Sequence, residues 1–186
     1  FAVTLRITAH RFLRMPMFSR NAKCRLAQFE SKLGRIVYLE NEVLRVAILA
    51  DKGSDIVEFL YKPLDVDFMW RSPFPQYSRG TPTTIEGPLG AFLDHYPGGW
   101  QEIFPNGGAP CEYKGAHLGL HGEAALLPWD FAIVEDSPER VSIRLSVRTV
   151  RTPFRLEKTL SLASESPSLL LDERVTNEAG EPMDFI

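Results

Sequence analysis

The clearest pattern in the chain is an alternation of apolar and polar residues in its last third. Apolar residues take every second position over 141–147, with serines and arginines between them. Residues 154–162 continue the alternation, with Lys158 as the exception among the apolar positions, and 169–175 forms a further apolar-rich run. A period of two places successive side chains on opposite faces of a β-strand. The pattern predicts three strands here.

Short apolar runs also fill the chain before residue 63. Segments 24–30 and 35–39 flank a short turn, as in a hairpin, and Asp55–Tyr61 is a further candidate strand. The run at 43–49 is almost continuously apolar, which is typical of a strand covered on both faces. We find no amphipathic helix of ten residues or more and no internal repeat. The pattern predicts an all-β fold, an antiparallel sandwich or barrel.

Residues 71–98 break this regularity. Five prolines and four glycines lie there without a sustained period of either kind. A long irregular segment in a compact domain is usually a functional loop or a lid. With 186 residues, 44% of them hydrophobic and 24% charged, the chain is expected to form one globular domain.

Charge is distributed unevenly along the chain. Residues 1–23 carry five basic residues and no acid, while the remainder has 16 basic and 24 acidic residues, a formal charge of −8. We interpret 1–23 as a poorly ordered basic leader, with a mitochondrial transit peptide as the alternative, and 24–186 as the folded domain. The acidic domain argues against a nucleic-acid partner, and no apolar run has the roughly 20 residues that cross a bilayer. Two isolated cysteines, Cys24 and Cys111, favour a reducing, cytoplasmic location.

The candidate chemistry is concentrated in residues 96–129. If 117–124 is a strand, His117, His121 and Glu123 project from one face. The two histidines would lie about 13 Å apart, too far to share a metal ion, whereas His121 and Glu123 would be about 6.6 Å apart. The stretch also lacks the two histidines at i and i+2 of a cupin, so we predict no metal, with a small metal-dependent β-barrel enzyme kept as an alternative.

A sugar site explains this stretch better. Trp100, Glu102 and Asn106 precede the histidines and could supply an aromatic platform and hydrogen-bonding groups. The structural alternatives are a core tryptophan at Trp100 and a His121–Glu123 pair bonded to each other and to neighbouring backbone; Trp129 is expected in the core. Nothing around Cys111 marks an activated thiol. Nucleotide-binding motifs are missing, so no cofactor is predicted.

Three segments together resemble a known family. GGWQEIFPNGGAP at 98–110, HGEAALLPW at 121–129 and NEVLRVAILADKGSDIVEFLYKP at 41–63 are similar to the aldose 1-epimerase-like proteins of the galactose mutarotase superfamily, most closely a branch of unassigned function. The likeness covers about residues 34–186. It implies a large antiparallel β-supersandwich and interconversion of hexose anomers without metal or cofactor. In that reaction a Glu removes the anomeric proton while a His protonates the ring oxygen.

The resemblance transfers one catalytic position. His121 matches the family's first His-Gly, whose histidine contacts the sugar and supports the acid step. The family's Gly-Arg-x-x-Asn-Arg segment is missing, which leaves Arg71 and Arg79 as candidates for the sugar-binding arginine. The second histidine and the catalytic glutamate of the family lie later in the fold, and Glu123 is not that base.

These observations lead to one prediction with two alternatives. The chain is expected to be the N-terminal part, and so an incomplete copy, of an aldose 1-epimerase-like protein. It would bind a small-molecule sugar and act at its anomeric centre by His/Glu acid-base catalysis. His121 is the expected catalytic residue, and the expected sugar-binding residues are Arg71, Trp100, Glu102, Asn106, His117 and Glu123. The alternatives are a sugar-binding module without catalysis and the metal-dependent enzyme.

Overall fold

The computed structural model describes residues 23–73 and 87–185. The proposed basic leader, apart from Lys23, therefore lies outside the described residues. So do Arg79 and much of the irregular segment 71–98.

The N-terminal half forms a five-stranded antiparallel sheet in simple sequence order. Its strands are β1 (Arg25–Ser31), β2 (Gly34–Glu40), β3 (Leu44–Leu49), β4 (Asp55–Tyr61) and β5 (Val66–Asp67). A 3-10 turn at Lys62–Leu64 leads into β5. The hairpin predicted before residue 40 is confirmed, since β1 and β2 pair in continuous antiparallel register.

The C-terminal half forms a four-stranded antiparallel sheet of β8 (Asp130–Asp136), β9 (Arg140–Arg148), β10 (Phe154–Ala163) and β11 (Leu169–Asn177). The strands lie in the order β11-β10-β9-β8. The alternating residues of 141–147 and 154–162 do form strands, as predicted. The sequence pattern did not reveal β8, whose register against β9 is interrupted by an irregularity between Ile133 and Glu135.

The two sheets pack face to face, with the main core between them. β2 crosses both β9 and β10. Apolar side chains from both sheets are fully buried, among them Leu39, Val46, Ile143, Leu145 and Leu160. Strand β3 is buried along nearly its whole length, which confirms the expectation of cover on both faces. The all-β, antiparallel sandwich prediction is therefore correct.

A smaller layer of loops covers one end of the sandwich. It contains the helix α1 (Gly90–Asp94), the hairpin of β6 (Cys111–Tyr113) and β7 (Ala116–Leu118), and a 3-10 turn at Ala124–Leu126. Every helix in the described part of the chain is too short to cross a membrane.

The strand predicted over 117–124 is wrong. β7 ends at Leu118, and the backbone then turns through positive φ values of 59° at His121 and 76° at Gly122. A left-handed pair of residues cannot continue a strand. His117, His121 and Glu123 consequently do not form one row on a strand face.

Candidate functional site

The turn that carries His121 is held by backbone contacts from a distant segment. The His121 N–H donates to the carbonyl of Gly108 at 2.9 Å, and the Glu123 and Ala124 N–H groups both donate to the carbonyl of Phe104, at 2.9 and 3.1 Å. A Cβ atom at Gly122 would overlap that same Phe104 carbonyl. The close approach, together with positive φ, explains why glycine follows His121.

The imidazole of His121 is half-buried and lies edge-to-face against Phe92 of α1, with ring centroids 4.6 Å apart. Its Nδ1 atom is buried and has no hydrogen-bond partner among the described residues. The same is true of Oδ1 of Asn106, whose amide nitrogen donates to the carbonyls of Ala109 and Gly119. Buried polar atoms are normally paired, so two unpaired atoms in the loops around one histidine indicate a place for a further hydrogen-bonding group.

Three aromatic rings extend from His121 towards solvent, and we call Phe92, Tyr96 and Trp70 the aromatic stack. Phe92 lies nearly parallel to Tyr96, with 5.5 Å between centroids and an interplanar angle of 20°. Tyr96 in turn stacks on Trp70 at 5.8 Å and 26°. The exposed fraction rises along the stack from 7% at Phe92 to 37% at Tyr96 and 58% at Trp70.

The position of Trp70 is set by a short backbone pairing with the segment before Trp100. Gly99 N–H donates to the Trp70 carbonyl at 2.8 Å, and Ser72 N–H donates to the Pro97 carbonyl at 3.0 Å. Gly98 has a φ of 96°, and a Cβ atom there would overlap the Trp70 carbonyl oxygen. The glycine pair of the 98–110 motif thus brings Trp70 against Tyr96.

Glu123 has a structural environment. Its carboxylate accepts hydrogen bonds from the Val150 N–H at 2.7 Å, from the Arg151 N–H at 3.0 Å and from the Thr152 hydroxyl at 3.1 Å. These three groups belong to the turn between β9 and β10. The sequence also allowed a purely structural role, in which Glu123 bonds to His121 and to neighbouring backbone. Glu123 does bond to backbone, but its partners lie far along the chain and His121 is not among them. Sugar binding by Glu123 stays a prediction.

Glu102 takes part in a partly buried network of charged groups. Its carboxylate lies 3.1 Å from the Lys158 ammonium, which is itself buried between the sheets and lies 5.2 Å from the Trp129 ring centroid. Glu173 lies directly opposite Lys158 in the β10–β11 register. The neighbouring Gln101 amide donates to Asp55 at 3.0 Å.

Two carboxyl groups in and beside this network, those of Asp55 and Glu173, have raised pKa values. Burial raises the pKa of Asp55 to about 6, against the opposing effects of Lys52 and Lys158. Burial, followed by the hydrogen bond and the negative charge of Glu102, raises the pKa of Glu173 to about 7. Desolvation and a second carboxylate both disfavour the ionised form.

The remaining predicted sugar-binding residues lie in more exposed surroundings. Trp100 is 52% exposed and its backbone pairs with Ile56 of β4. The side chain of His117 is exposed, with its Nδ1 3.6 Å from the Glu112 carboxylate. Arg71 pairs with Asp67 at 2.6 Å and lines a cavity of about 170 Å³ on the outer face of the first sheet. The structure joins none of these three to His121 by a described hydrogen bond or ring contact.

Within residues 23–73 and 87–185, no cluster of three or more His, Cys, Asp or Glu side chains is arranged to hold a metal ion.

Sequence reasoning missed four residues that define these surroundings. Trp70 and Phe92 carry no motif, and Tyr96 stood at the edge of the candidate stretch without an assigned role. The fourth residue, Lys158, could have been found from the sequence, because it interrupts the apolar face of an otherwise regular strand. A charge at a core position implies a buried partner, which the structure identifies as Glu102.

No protein-family model matches the chain, and no curated protein matches it in sequence. Solved structures do match it in shape. A putative aldose 1-epimerase from Klebsiella pneumoniae subsp. pneumoniae MGH 78578 superimposes with a TM-score of 0.64 and 19% identity over 83% of this chain and 43% of that one. A TPR-domain containing protein from Parabacteroides distasonis ATCC 8503 gives a TM-score of 0.50 and 18% identity over 76% and 20%.

A galactose mutarotase related enzyme from Lactobacillus acidophilus gives a TM-score of 0.47 with 22% identity, covering 76% of this chain and 43% of that one. The chain therefore spans less than half the length of each of these proteins. The likeness to the Klebsiella protein establishes the fold. The chain shares the antiparallel β-sandwich of that protein over the matched part, in agreement with the fold class that the sequence predicted.

Proposed function

We propose that this chain binds a monosaccharide or its derivative at His121 and forms part of an aldose 1-epimerase-type site. One observation carries the proposal: the Nδ1 of His121 and the Oδ1 of Asn106 are buried in adjoining loops and have no hydrogen-bond partner within the described part of the chain. A sugar presents several hydroxyl groups, each able to donate and to accept a hydrogen bond, and could satisfy such atoms after a small movement of the loops. The apolar ring of Phe92 supports one side of the imidazole.

The proposed chemistry is proton transfer at the anomeric centre. A base removes the proton of the anomeric hydroxyl while an acid protonates the ring oxygen, so that the bond from the anomeric carbon to the ring oxygen breaks and an aldehyde forms. Rotation of the aldehyde and the reverse steps produce the other anomer. His121 would donate to the ring oxygen or support that step. The family resemblance assigns the base and a second histidine to a later part of the fold.

Binding is tested by titrating the chain with glucose and galactose in a calorimeter. We expect saturable binding that His121→Ala weakens at least about tenfold, the usual cost of a lost hydrogen bond to a polar ligand. The control is Phe29→Ala, a side chain that is 58% exposed on β1, the sheet edge opposite to β5. Equal affinity of both variants for the sugars would exclude His121 as the binding residue.

A sugar-binding module without catalysis is the second candidate. It is favoured by the state of Glu123, the carboxylate closest to His121 in sequence, which is occupied by the β9–β10 turn. Polarimetry separates the two candidates: an epimerase accelerates the mutarotation of freshly dissolved α-glucose above the buffer rate, and His121→Ala removes that acceleration. Binding without acceleration supports the module. Stoichiometric metal in the purified protein would instead favour the metal-dependent enzyme.

A further inference from the structure

We propose that Lys158 is a positioning residue for the candidate sugar site, and that it acts through Glu102 on the loop that supports the His121 turn. This inference rests on the proposed function, because that function places the sugar at His121. Lys158 is buried between the sheets and has its effect along the loop of residues 101–106.

The buried ammonium group of Lys158 restrains the Glu102 side chain. Lys158 occupies a core position on β10 between Leu156 and Leu160, and only 4% of the residue is exposed. A buried charge is costly unless a partner of opposite charge compensates it. The Glu102 carboxylate lies 3.1 Å away with 17% of its side chain exposed, whereas Glu173, opposite Lys158 on β11, is exposed. Moving Glu102 away would remove the more buried of the two carboxylates, so the ion pair holds the loop.

The start of the loop is fixed to the first sheet. Trp100, immediately before it, exchanges two backbone hydrogen bonds with Ile56 of β4, each 2.9 Å long. The Gln101 side-chain amide donates to the Asp55 carboxylate at 3.0 Å. The ion pair of Glu102 is the next contact along the chain, and it carries the loop from the first sheet to the second.

The same loop then supports the turn that contains His121. Phe104 packs edge-to-face on Phe154, at the start of β10, with 5.1 Å between ring centroids. Its carbonyl accepts hydrogen bonds from the Glu123 and Ala124 N–H groups, at 2.9 and 3.1 Å. A displacement of the loop at its ion pair would therefore move the carbonyl on which the turn depends.

Asn106, at the end of the loop, belongs to the proposed site itself. Its Oδ1 is buried and has no hydrogen-bond partner within the described part of the chain, and the same holds for Nδ1 of His121. The loop thus places both groups on which the proposed function rests, Asn106 directly and His121 through its turn. Hydrogen bonds weaken steeply when their geometry departs from the preferred one, so ligand binding should be sensitive to the position of the loop.

The test measures the affinity for glucose and galactose by calorimetric titration. Lys158→Met retains an unbranched side chain that suits the apolar face of β10, and it removes the charge that holds Glu102. We expect it to weaken binding at least about fivefold. Lys62→Met is the matched control, because it removes another Lys–Glu ion pair, in which the Lys62 ammonium lies 2.7 Å from the Glu40 carboxylate. It should leave the affinity unchanged.

A double-variant cycle shows whether Lys158 acts through Glu102. If it does, Glu102→Ala weakens binding as much as Lys158→Met, and the double variant binds no more weakly than either single variant. Additive losses would mean that the two residues act on the sugar separately, which would overturn the inference.

Hydrogen exchange measured by NMR without sugar reports on the turn directly. In Lys158→Met, the amides of Glu123 and Ala124 should exchange several-fold faster relative to the amides of β3. An equal increase at the turn and in β3 would indicate a general loss of stability and would overturn the inference. If Lys158→Met does not fold by circular dichroism, the double variant, which leaves neither charge unpaired, must show the selective increase.

Failure of this inference and failure of the proposed function give different results. A wild-type chain that binds either sugar, with unchanged affinity in Lys158→Met, overturns the inference alone. A wild-type chain that binds neither sugar overturns the proposed function and the inference together. Weaker binding in Lys158→Met, with selectively faster exchange at the turn and no further loss in the double variant, supports the positioning role.

Discussion

At the scale of single residues, the candidate site depends on a backbone conformation at His121 that its own side chain does not favour. A φ of 59° is uncommon for a residue with a Cβ atom, and it is maintained because Gly108 and Phe104 accept hydrogen bonds from this turn. Unusual backbone of this kind persists where surrounding contacts determine it, and it often occurs at functional sites. The turn directs the imidazole towards Phe92.

Gly122→Ala tests this dependence. The added methyl group would overlap the Phe104 carbonyl at a φ of 76°, so we expect a loss of about 2 kcal/mol or more in the free energy of unfolding, measured with urea. Gly108→Ala is the matched control, because nothing lies within 4 Å of a Cβ atom there and its φ is not positive. Its stability should change by less than about 1 kcal/mol. Equal losses in the two variants would contradict the role of the turn.

At the scale of elements, β10 and β11 carry a charged row across an otherwise apolar face. Lys158 is flanked by Leu156 and Leu160 on the core side of β10, and Glu173 faces it from β11. Glu102 reaches this pair from the loop that follows Trp100, and its bond to Lys158 ties that loop to the second sheet. The network therefore connects the candidate stretch to the sandwich.

This network predicts an unusual pH dependence of stability. The pKa of Glu173 is about 7 in the folded chain, against an ordinary value of 4.5, so the folded state binds more protons between these values. Its contribution to stability therefore falls as pH rises from about 4.5 to 7, and the full penalty applies above that range.

We expect Glu173→Gln to stabilise the chain at pH 8 by about 1 kcal/mol, a modest figure because the side chain is partly exposed to screening solvent. At pH 4.5 the change should be close to zero. Urea midpoints at the two pH values measure the difference. Part of the pH dependence of stability should persist in Glu173→Gln, because the pKa of Asp55, about 6, lies in the same pH range. If Glu173→Gln changed the free energy of unfolding by the same amount at both pH values, ionisation of Glu173 would not be the cause of the pH dependence.

At the scale of the whole molecule, the two sheets depend on one shared core. The largest buried side chains come from both halves of the chain, and β2 packs across β9 and β10. Neither sheet can bury its inner face without the other. Stability should therefore be lost cooperatively.

Leu145→Ala tests this expectation. The side chain is fully buried on β9, and its truncation should cost about 2–5 kcal/mol. Hydrogen exchange should show faster opening of amides in both sheets by a similar factor. Val150→Ala, at a side chain that is 77% exposed, serves as the control and should change stability by less than about 0.5 kcal/mol. Faster exchange confined to the second sheet would indicate two independent units.

Most strands of the sandwich could be predicted from the sequence because their pattern is local. Residues 141–147 and 154–162 alternate between apolar and polar residues, apart from Lys158, since one face of each strand meets the core and the other is mostly more exposed. β8 escaped prediction because it is an edge strand whose apolar residues Ile133 and Val134 are consecutive and exposed. The same local rule failed at 117–124, where the sequence permits a strand but contacts with Gly108 and Phe104 impose a turn.

What the sequence determined by itself was the fold class, the burial of Trp129 and the stretch in which His121 lies, because strand periodicity and short motifs are properties of neighbouring residues. Tertiary structure decided which groups meet. It brought Trp70, Tyr96 and Phe92 into one stack beside His121. It also placed the Glu123 carboxylate in hydrogen bonds with the β9–β10 turn and paired Lys158 with Glu102. Each of these contacts joins residues from separate segments, and local periodicity carries no information about such encounters.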